Sequence, residues 1–364
     1  MNITGIVVEY NPFHNGHIYH LNKAKELTDA DITIAVSSGN FTQRGEISII
    51  DKYQKCEEAL KAGVDLFVEL PYIYTVQNAS VFGEKSVEIL KMLGINNLVF
   101  GSETGNMEEL LSFARHSINI DHLKEALNKG ESYPKAYGLL AGSIFPNDIL
   151  AISYLRALEG TDIKPIAINR TNTYKGLELE EIASARAIRE AVRNNLDYSI
   201  ATPTQINEPL FNEDIYPYLQ RKLLSSSVEE IRDIFLVSEG IENLLIKNAQ
   251  EYDTYEDFVS HSVSKRYTRA RINRICINIL NNIKKEEVKD LEELNYVRVL
   301  GFNEKGREYL RRFRDDENIK IVTQFKNIPE NHKKIEWKVA NMYASFLKDR
   351  KAYLLKELKG PIIR

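Results

Sequence analysis

The stretch GIVVEYNPFHNGHIYH, from Gly5 to His20, decides how the rest of the chain is read. Ile6 to Val8 is a short apolar run and reads as a buried strand. Asn11 and Pro12 break it, His14-Asn15-Gly16-His17 follows, and the spacing of Ile18, Leu21 and Ala24 predicts a helix beginning there. Two imidazoles and a glycine therefore stand where a strand hands over to a helix N-terminus. Such a terminus offers unpaired N–H groups and the positive end of a dipole, which suits phosphate. Gly16 lets the backbone approach a ligand where a side chain would collide. His14 and His17 can donate to phosphate oxygens and to the charge that grows as pyrophosphate leaves. Spacing alone leaves other readings open, because two histidines three apart also serve as metal ligands or as a polar helix start. Position favours nucleotide chemistry, since doubly wound folds put their phosphate loop just after the first strand.

The 364 residues are 43% hydrophobic and 27% charged, an ordinary globular composition with room for two domains. The net charge of −4 gives no global basic signature, so any nucleic-acid surface must be local. Cys56 and Cys276 lie far apart and form no CxxC pair, which implies neither a disulfide framework nor a zinc site and fits a reducing cytoplasm. No basic-then-apolar leader precedes the first strand, and no apolar run approaches the roughly 20 residues needed to span a bilayer.

Further along, Ile32 to Val36 reads as a second buried strand running into Ser37-Ser38-Gly39-Asn40-Phe41-Thr42-Gln43-Arg44-Gly45. This is either a plain surface loop or a ligand loop at a strand's C-terminal end, where Arg44 can grip a phosphate or carboxylate bidentately. Asp51 to Ala62 is a helical pattern stopped by Gly63, and Asp65 to Leu70 a third strand stopped by Pro71. Glu69 is a charge inside that apolar run, so it must lie at the strand end or be paired. Gln77 to Leu93 is helical, and Leu98 to Phe100 is a short strand leading to Gly101-Ser102-Glu103. Asn106 to Leu140 is helical without evident chemistry, with Lys124, Lys129 and Lys135 on a solvated face. Pro146-Asn147-Asp148 precedes a helix, Ile149 to Leu158; Asn147 is either a helix starter or a nucleotide contact. Ile163 to Ile168 is a fifth strand, ending at Asn169-Arg170, and Ile182 to Val192 a helix carrying Ser184, Arg186 and Arg189. Alternating strands and helices predict an α/β fold: a parallel, Rossmann-like sheet with helices on both faces, over residues 1–195.

The second half changes character. A polar connector with Thr202-Pro203 and Glu208-Pro209 spans 196–217, and 218–364 is predicted to be mainly helical. Within it, Lys265, Arg266, Arg269, Arg271 and Arg274 fall in ten positions with no acid among them, and Tyr267 lies in the run. Such a run is either a solvated helix face or an RNA contact; arginine-rich and acid-free in an otherwise acidic chain, this one is read as an RNA contact, with Tyr267 available to stack on a base. A second cluster, Lys305, Arg307, Arg311, Arg312 and Arg314, is interrupted by acids and reads as a solvated face. Strands are predicted at Tyr296 to Leu300 and Ile319 to Phe325, and a C-terminal amphipathic helix from Trp337 to Leu358.

HNGH after a strand resembles the HxGH signature of the nucleotidyltransferase superfamily, which includes class I aminoacyl-tRNA synthetases and small adenylyltransferases. The longer EYNPFHNGH is similar to the tRNA(Met) cytidine acetate ligase family. So are SGNFTQRG (Ser38–Gly45), GVDLFVELPY (Gly63–Tyr72), FGSE (Phe100–Glu103), PNDILAISYL (Pro146–Leu155) and, in the second half, SKRYTRARINR (Ser264–Arg274). The resemblance implies a nucleotidyltransferase domain followed by a tRNA-binding one. It implies that ATP is surrounded by Val7, Val8, Glu9, Tyr10 and Asn11, by Pro12, Phe13, His14, Asn15 and Gly16, and by His17, Ile18, Tyr19 and His20. Gly101, Asn147 and Arg170 would complete that pocket. One departure stands in Ala183 to Arg189, ASARAIR, where Arg186 and Ala187 occupy positions that are often Thr and Ser.

The implied reaction is ATP-dependent activation of acetate as acetyl-adenylate, with Mg²⁺ expected to help, then acetyl transfer to N4 of the wobble cytidine of elongator tRNA(Met). His14 and His17 would stabilise charge on the phosphates. No membrane and no stable protein partner is implied. Two rival readings make other demands. A small-metabolite adenylyltransferase retains AMP in its product and needs no RNA surface. A non-catalytic ATP- and RNA-binding protein releases no pyrophosphate.

Overall fold

The computed structural model describes residues 1–115, 145–169, 178–291, 293–317 and 319–364. Five parallel strands form its centre: β1 (Ile3–Val8), β2 (Ile32–Ser38), β3 (Leu66–Leu70), β4 (Asn97–Ser102) and β5 (Lys164–Asn169). They are parallel, as the alternation of strands and helices predicted, and run in the order β5-β4-β1-β2-β3, with β1 paired to β2 from Ile3 opposite Ile32 to Val8 opposite Ser37. The first half supplies helices α1 (Asn15–Thr28), α2 (Lys52–Lys61), α3 (Tyr72–Thr75), α4 (Ala79–Met92), α5 (Met107–Arg115), α6 (Pro146–Ala157) and α7 (Ala185–Arg193). Caps set several of the starts. The Asp51 carboxylate accepts the N–H groups of Tyr53 and Gln54, each at 2.8 Å, and Asn78 accepts that of Val81 at 3.1 Å. The Lys124, Lys129 and Lys135 face and Arg170 lie outside the described residues.

Beyond the connector come α8 (Asn212–Ser225), α9 (Val228–Arg232), α10 (Ile241–Glu251), α11 (Tyr255–Ser262), α12 (Arg269–Leu280) and α13 (Lys285–Lys289). The chain then returns to the sheet. Strand β6 (Tyr296–Phe302) pairs antiparallel with β3, and β7 (Lys320–Val322) and β8 (Ile362–Ile363) both pair with β6. The sheet therefore crosses the expected 196–217 division. Helices α14 (Glu304–Leu310), α15 (Glu330–Ala344) and α16 (Arg350–Leu358) complete the chain. The single helix expected from Trp337 to Leu358 is two, broken after Ala344.

Two apolar cores flank the sheet. One joins Ile6 and Val8 of β1 and Leu21 of α1 to the second-half helices through Leu219, Phe258, Ile275 and Tyr343; the other packs Val87 and Leu90 of α4 and Leu155 of α6 on Ile34, Val68 and Val297. The connector also packs inward. Buried Thr202 and Thr204 donate to the Phe13 carbonyl at 2.6 and 3.3 Å, and the Ala201 carbonyl accepts the Asn15 N–H at 3.0 Å.

Glu69 meets the expectation for a charge in an apolar strand. It is 3% exposed and lies in a buried ionic cluster drawn from distant segments. Lys52 Nζ stands 2.8 Å from Glu69 and 3.0 Å from Glu357, and Arg298 stands 2.8 Å from Glu69 and 2.7 Å from Glu357. The Tyr53 hydroxyl donates to Glu357 at 2.9 Å. Burial raises the Glu357 carboxyl, but Arg298 and then Lys52 outweigh it and hold the group down at about 2.

Candidate active site

At the C-terminal ends of the parallel strands lies a cavity of about 270 Å³. His14 is the N-cap of α1, so the helix begins at Asn15, slightly earlier than periodicity suggested. His14 Nδ1 accepts the Gly16 N–H at 3.1 Å, and His17 Nδ1 accepts the His14 N–H at 3.2 Å. With Nδ1 accepting, the proton of each neutral imidazole belongs on Nε2, leaving that nitrogen a donor. The two rings lie 3.7 Å apart between centroids, and both line the cavity. A Cβ at Gly16 would come 2.9 Å from the His14 ring, so the glycine is required by the imidazole beside it.

The free N–H groups expected at this helix start are in fact occupied. Asn15 N–H goes to Ala201, Gly16 N–H to the His14 ring, and His17 N–H to the His14 carbonyl at 2.8 Å. The dipole remains, and the donors offered to a ligand are side chains.

Of the residues expected around ATP, Val7, Val8, Glu9, Tyr10, Asn11, His14, Gly16, His17, Tyr19, His20, Gly101 and Asn147 line this cavity. Pro12, Phe13, Asn15 and Ile18 do not. Phe13 is fully buried against Tyr10, with ring centroids 4.8 Å apart, and Ile18 packs on the core. The Asn15 side chain donates to the Glu181 and Ile200 carbonyls at 2.8 and 2.9 Å. Asn147 belongs to the first turn of α6, where its amide donates to Glu103 at 2.8 Å.

The loop after β2 is a cavity wall through Thr42, Gln43, Arg44 and Glu46, which supports the ligand reading of that loop over the plain surface one. Ile182, Ala183, Ser184, Ala185, Arg186 and Arg189 form another wall, so the departing ASARAIR segment is at the site. Arg189 donates to the Asn11 carbonyl at 2.8 Å and stands 3.5 Å from Glu46, clamping the turn after β1 to the loop after β2. Phe82, Phe100, Leu150 and Tyr154, with Ile168 and Asn169 at the end of β5, complete the lining. Phe100, Leu150 and Tyr154 lie in the FGSE and PNDILAISYL stretches, but nothing in the sequence told a cavity wall from core there, and Phe82 carried no signal at all.

The arginine-rich run does not lie bare. Arg266 and Arg271 stand 3.5 and 3.8 Å from Glu239, and Arg269 donates to Glu256 at 2.8 Å. Acids absent from the run are thus supplied by neighbouring segments. Tyr267 is 6% exposed, with the Arg271 guanidinium 4.2 Å over its ring, so stacking on a base is closed to it. Lys265 is exposed. Arg274 turns toward the cavity loop and donates to the Gln43 carbonyl at 3.3 Å; burial pulls its guanidinium down to about 10. Gly45 has φ +74°, and a Cβ there would fall 2.3 Å from the Arg274 nitrogen, so α12 and the loop meet backbone to backbone.

The sequence profile of the HIGH nucleotidyl transferases matches residues 1–357. A tRNA(Met) cytidine acetate ligase of Oceanobacillus iheyensis is 34% identical over the full length of both chains, and one of a Thermoanaerobacter species is 39% identical over 92% of each. The chain belongs to the tRNA(Met) cytidine acetate ligase family of HIGH nucleotidyltransferases. A crystal structure of Thermotoga maritima TmcAL in its apo form matches with a TM-score of 0.90 at 31% identity, covering 100% of this chain and 99% of that one. The same protein bound with alpha-thio ATP gives 0.89 at 30% identity, covering 100% of both. The parallel α/β sheet read from the strand pattern and the nucleotidyltransferase fold implied by HNGH are borne out, and the family that EYNPFHNGH suggested is the one found.

Proposed function

We propose that this chain activates acetate with ATP, releasing pyrophosphate, and transfers the acetyl group to N4 of the wobble cytidine of elongator tRNA(Met). The observation that carries the reading is an intact HNGH turn lining a cavity at the strand ends, in a chain that matches tRNA(Met) cytidine acetate ligases over its full length. A carboxylate oxygen of acetate attacks the α-phosphorus, and pyrophosphate leaves. His14 and His17 donate to the charge gathering on the phosphates, and the cationic wall of Arg44, Arg186 and Arg189 offsets the rest. No covalent enzyme intermediate is needed. Cys56 is buried, and burial pushes its thiol up, which makes it a poor nucleophile.

Mg²⁺ finds no cluster of three His, Cys, Asp or Glu side chains among the described residues. An ion held through ATP phosphate oxygens needs no such cage. Lys265, Arg266, Arg269, Arg271 and Arg274 would carry tRNA, chiefly by backbone contacts that weaken with salt, with Arg274 also bracing the cavity loop. Among the described residues no helix is long and apolar enough to cross a membrane. The test is incubation with ATP, labelled acetate and bulk tRNA, followed by nucleoside analysis. Label in N4-acetylcytidine is the expected result. Label absent from RNA, with AMP retained in a small product, would favour the adenylyltransferase reading.

A further inference from the structure

A cavity built for a polyanion also presents a carboxylate, and that carboxylate needs a partner. Glu9 follows β1 and lines the cavity. Its Oε1 accepts the Gln43 N–H at 2.7 Å. Among the described residues no donor bonds its Oε2, whereas the other cavity carboxylate, Glu46, is matched by Arg189 at 3.5 Å. Burial lifts the Glu9 carboxyl above its usual range, although the Gln43 N–H, Lys55 and Arg44 each pull it down. Beside Glu9 the wall is aromatic, with the Phe100 and Tyr154 rings 5.8 Å apart and Phe82 alongside. Burial first, and then the Glu9 charge, push the Tyr154 hydroxyl up.

We propose that Glu9 is the general base of the acyl-transfer step, accepting a proton from the exocyclic amine of the acceptor cytidine. The proposal rests on the ligase reading above. The N4 lone pair attacks the acetyl carbonyl carbon of acetyl-adenylate, and a C–N bond forms. The bond from that carbon to the AMP oxygen breaks, its electron pair leaving on the AMP phosphate. The surplus N4 proton passes to Glu9 Oε2, and no oxidant or reductant is required. Cytosine shows N4–H as a donor, and a carboxylate is its matching acceptor. A flat aromatic wall suits a base taken out of its stack. The amine is a poor nucleophile because its lone pair is shared with the ring, so proton removal must accompany bond formation. A carboxylate lifted toward neutral pH is a stronger base for that transfer.

The test supplies preformed acetyl-adenylate with bulk tRNA and follows N4-acetylcytidine for the wild type, Glu9→Gln and Glu9→Asp. Glutamine keeps an oxygen for the Gln43 N–H, and far-UV circular dichroism checks the fold. We expect Glu9→Gln to slow transfer by about 10²- to 10⁴-fold and to lose the rise in rate as pH climbs through the Glu9 titration. Glu9→Asp should recover part of the rate and the pH limb. Transfer by Glu9→Gln at the wild-type rate, or a slower rate with the wild-type pH profile, would overturn the assignment. A carboxylate serving only the ATP step would give the first of these results, since no polyphosphate is present. A wild-type enzyme that moves no acetyl group from acetyl-adenylate to cytidine would instead overturn the ligase reading itself.

Discussion

Lys52 and Lys55 stand three residues apart on α2, both buried, and belong to two different regions. Lys52 faces the ionic cluster, where each carboxylate, Glu69 and Glu357, meets both Lys52 and Arg298 within 3.0 Å. Lys55 faces the floor of the loop after β2, where its Nζ donates to the Gly39 carbonyl at 2.7 Å. Burial pulls Lys55 down to about 7, against the attraction of Glu9. In the cluster, two cations meet two carboxylates and tie β6 and α16 to α2 and β3. At the cavity, Glu9 uses one oxygen for the Gln43 N–H, and among the described residues no donor bonds the other. Charge paired with charge inside serves the fold, and charge left incomplete beside a cavity serves a ligand.

The sharpest way to break this comparison is at the cavity. Changing both His14 and His17 to Ala should cut acetate-dependent pyrophosphate release by about 10³-fold or more, since one lost donor of this kind typically costs about 10²–10³. Filter binding of tRNA should persist. Release at the wild-type rate would move the phosphate site elsewhere.

On the other side, Glu357→Ala should destabilise the protein by about 3–5 kcal/mol, because Arg298 and Lys52 would be left sharing Glu69. Urea unfolding measures it, and the slope should not change. Glu357 titrates at about 2 in the folded chain, below its ordinary value of about 4.3. Its contribution is therefore complete above that ordinary value and fades as pH falls toward 2. A variant gap that stayed constant across that window would contradict the cluster's assignment.

Lys55→Met sharpens the contrast. The folded value of about 7 lies below the ordinary 10.4, so the unfolded chain binds the extra proton between them. Stability contributed by Lys55 is then greatest above the ordinary value and is lost as pH falls to 7. The gap between wild type and Lys55→Met should shift toward the wild type as pH rises from 7 to 10. A shift the other way would mean that Lys55 is held charged.

The smallest effects are expected in the arginine run. Arg269→Glu should raise the KM for tRNA by about tenfold, equivalent to about 1.4 kcal/mol, and flatten its salt dependence. Arg274→Ala should lower kcat as well, because Arg274 touches Gln43, whose N–H orients Glu9. Identical behaviour of the two variants would break the division drawn between them.

Local signals carried the parallel sheet. Apolar runs ended by Asn11, by the Ser37-Ser38-Gly39 loop and by Pro71 marked β1 to β3, and HNGH marked the site at the first turn. Glu69 announced that it needed a partner, but Arg298 and Glu357 lie more than two hundred residues away, and no local pattern names them. Strand β6 was legible as a strand, though not as a neighbour of β3, because its pairing is settled by packing of the whole sheet. The arginine run looked acid-free along the chain, and Glu239 and Glu256 supply the acids only once the helices pack. Phe82 and Tyr154 show the same limit: a cavity wall and a core have one periodicity, and only the fold separates them.

The most direct test of the central claim is acetate-dependent exchange of labelled pyrophosphate into ATP, without tRNA, by the wild type and the His14→Ala/His17→Ala double variant. The account predicts exchange that requires acetate and disappears in the double variant. Exchange that ignores acetate, or that survives loss of both imidazoles, would contradict the assignment of this cavity as the site where acetate is activated.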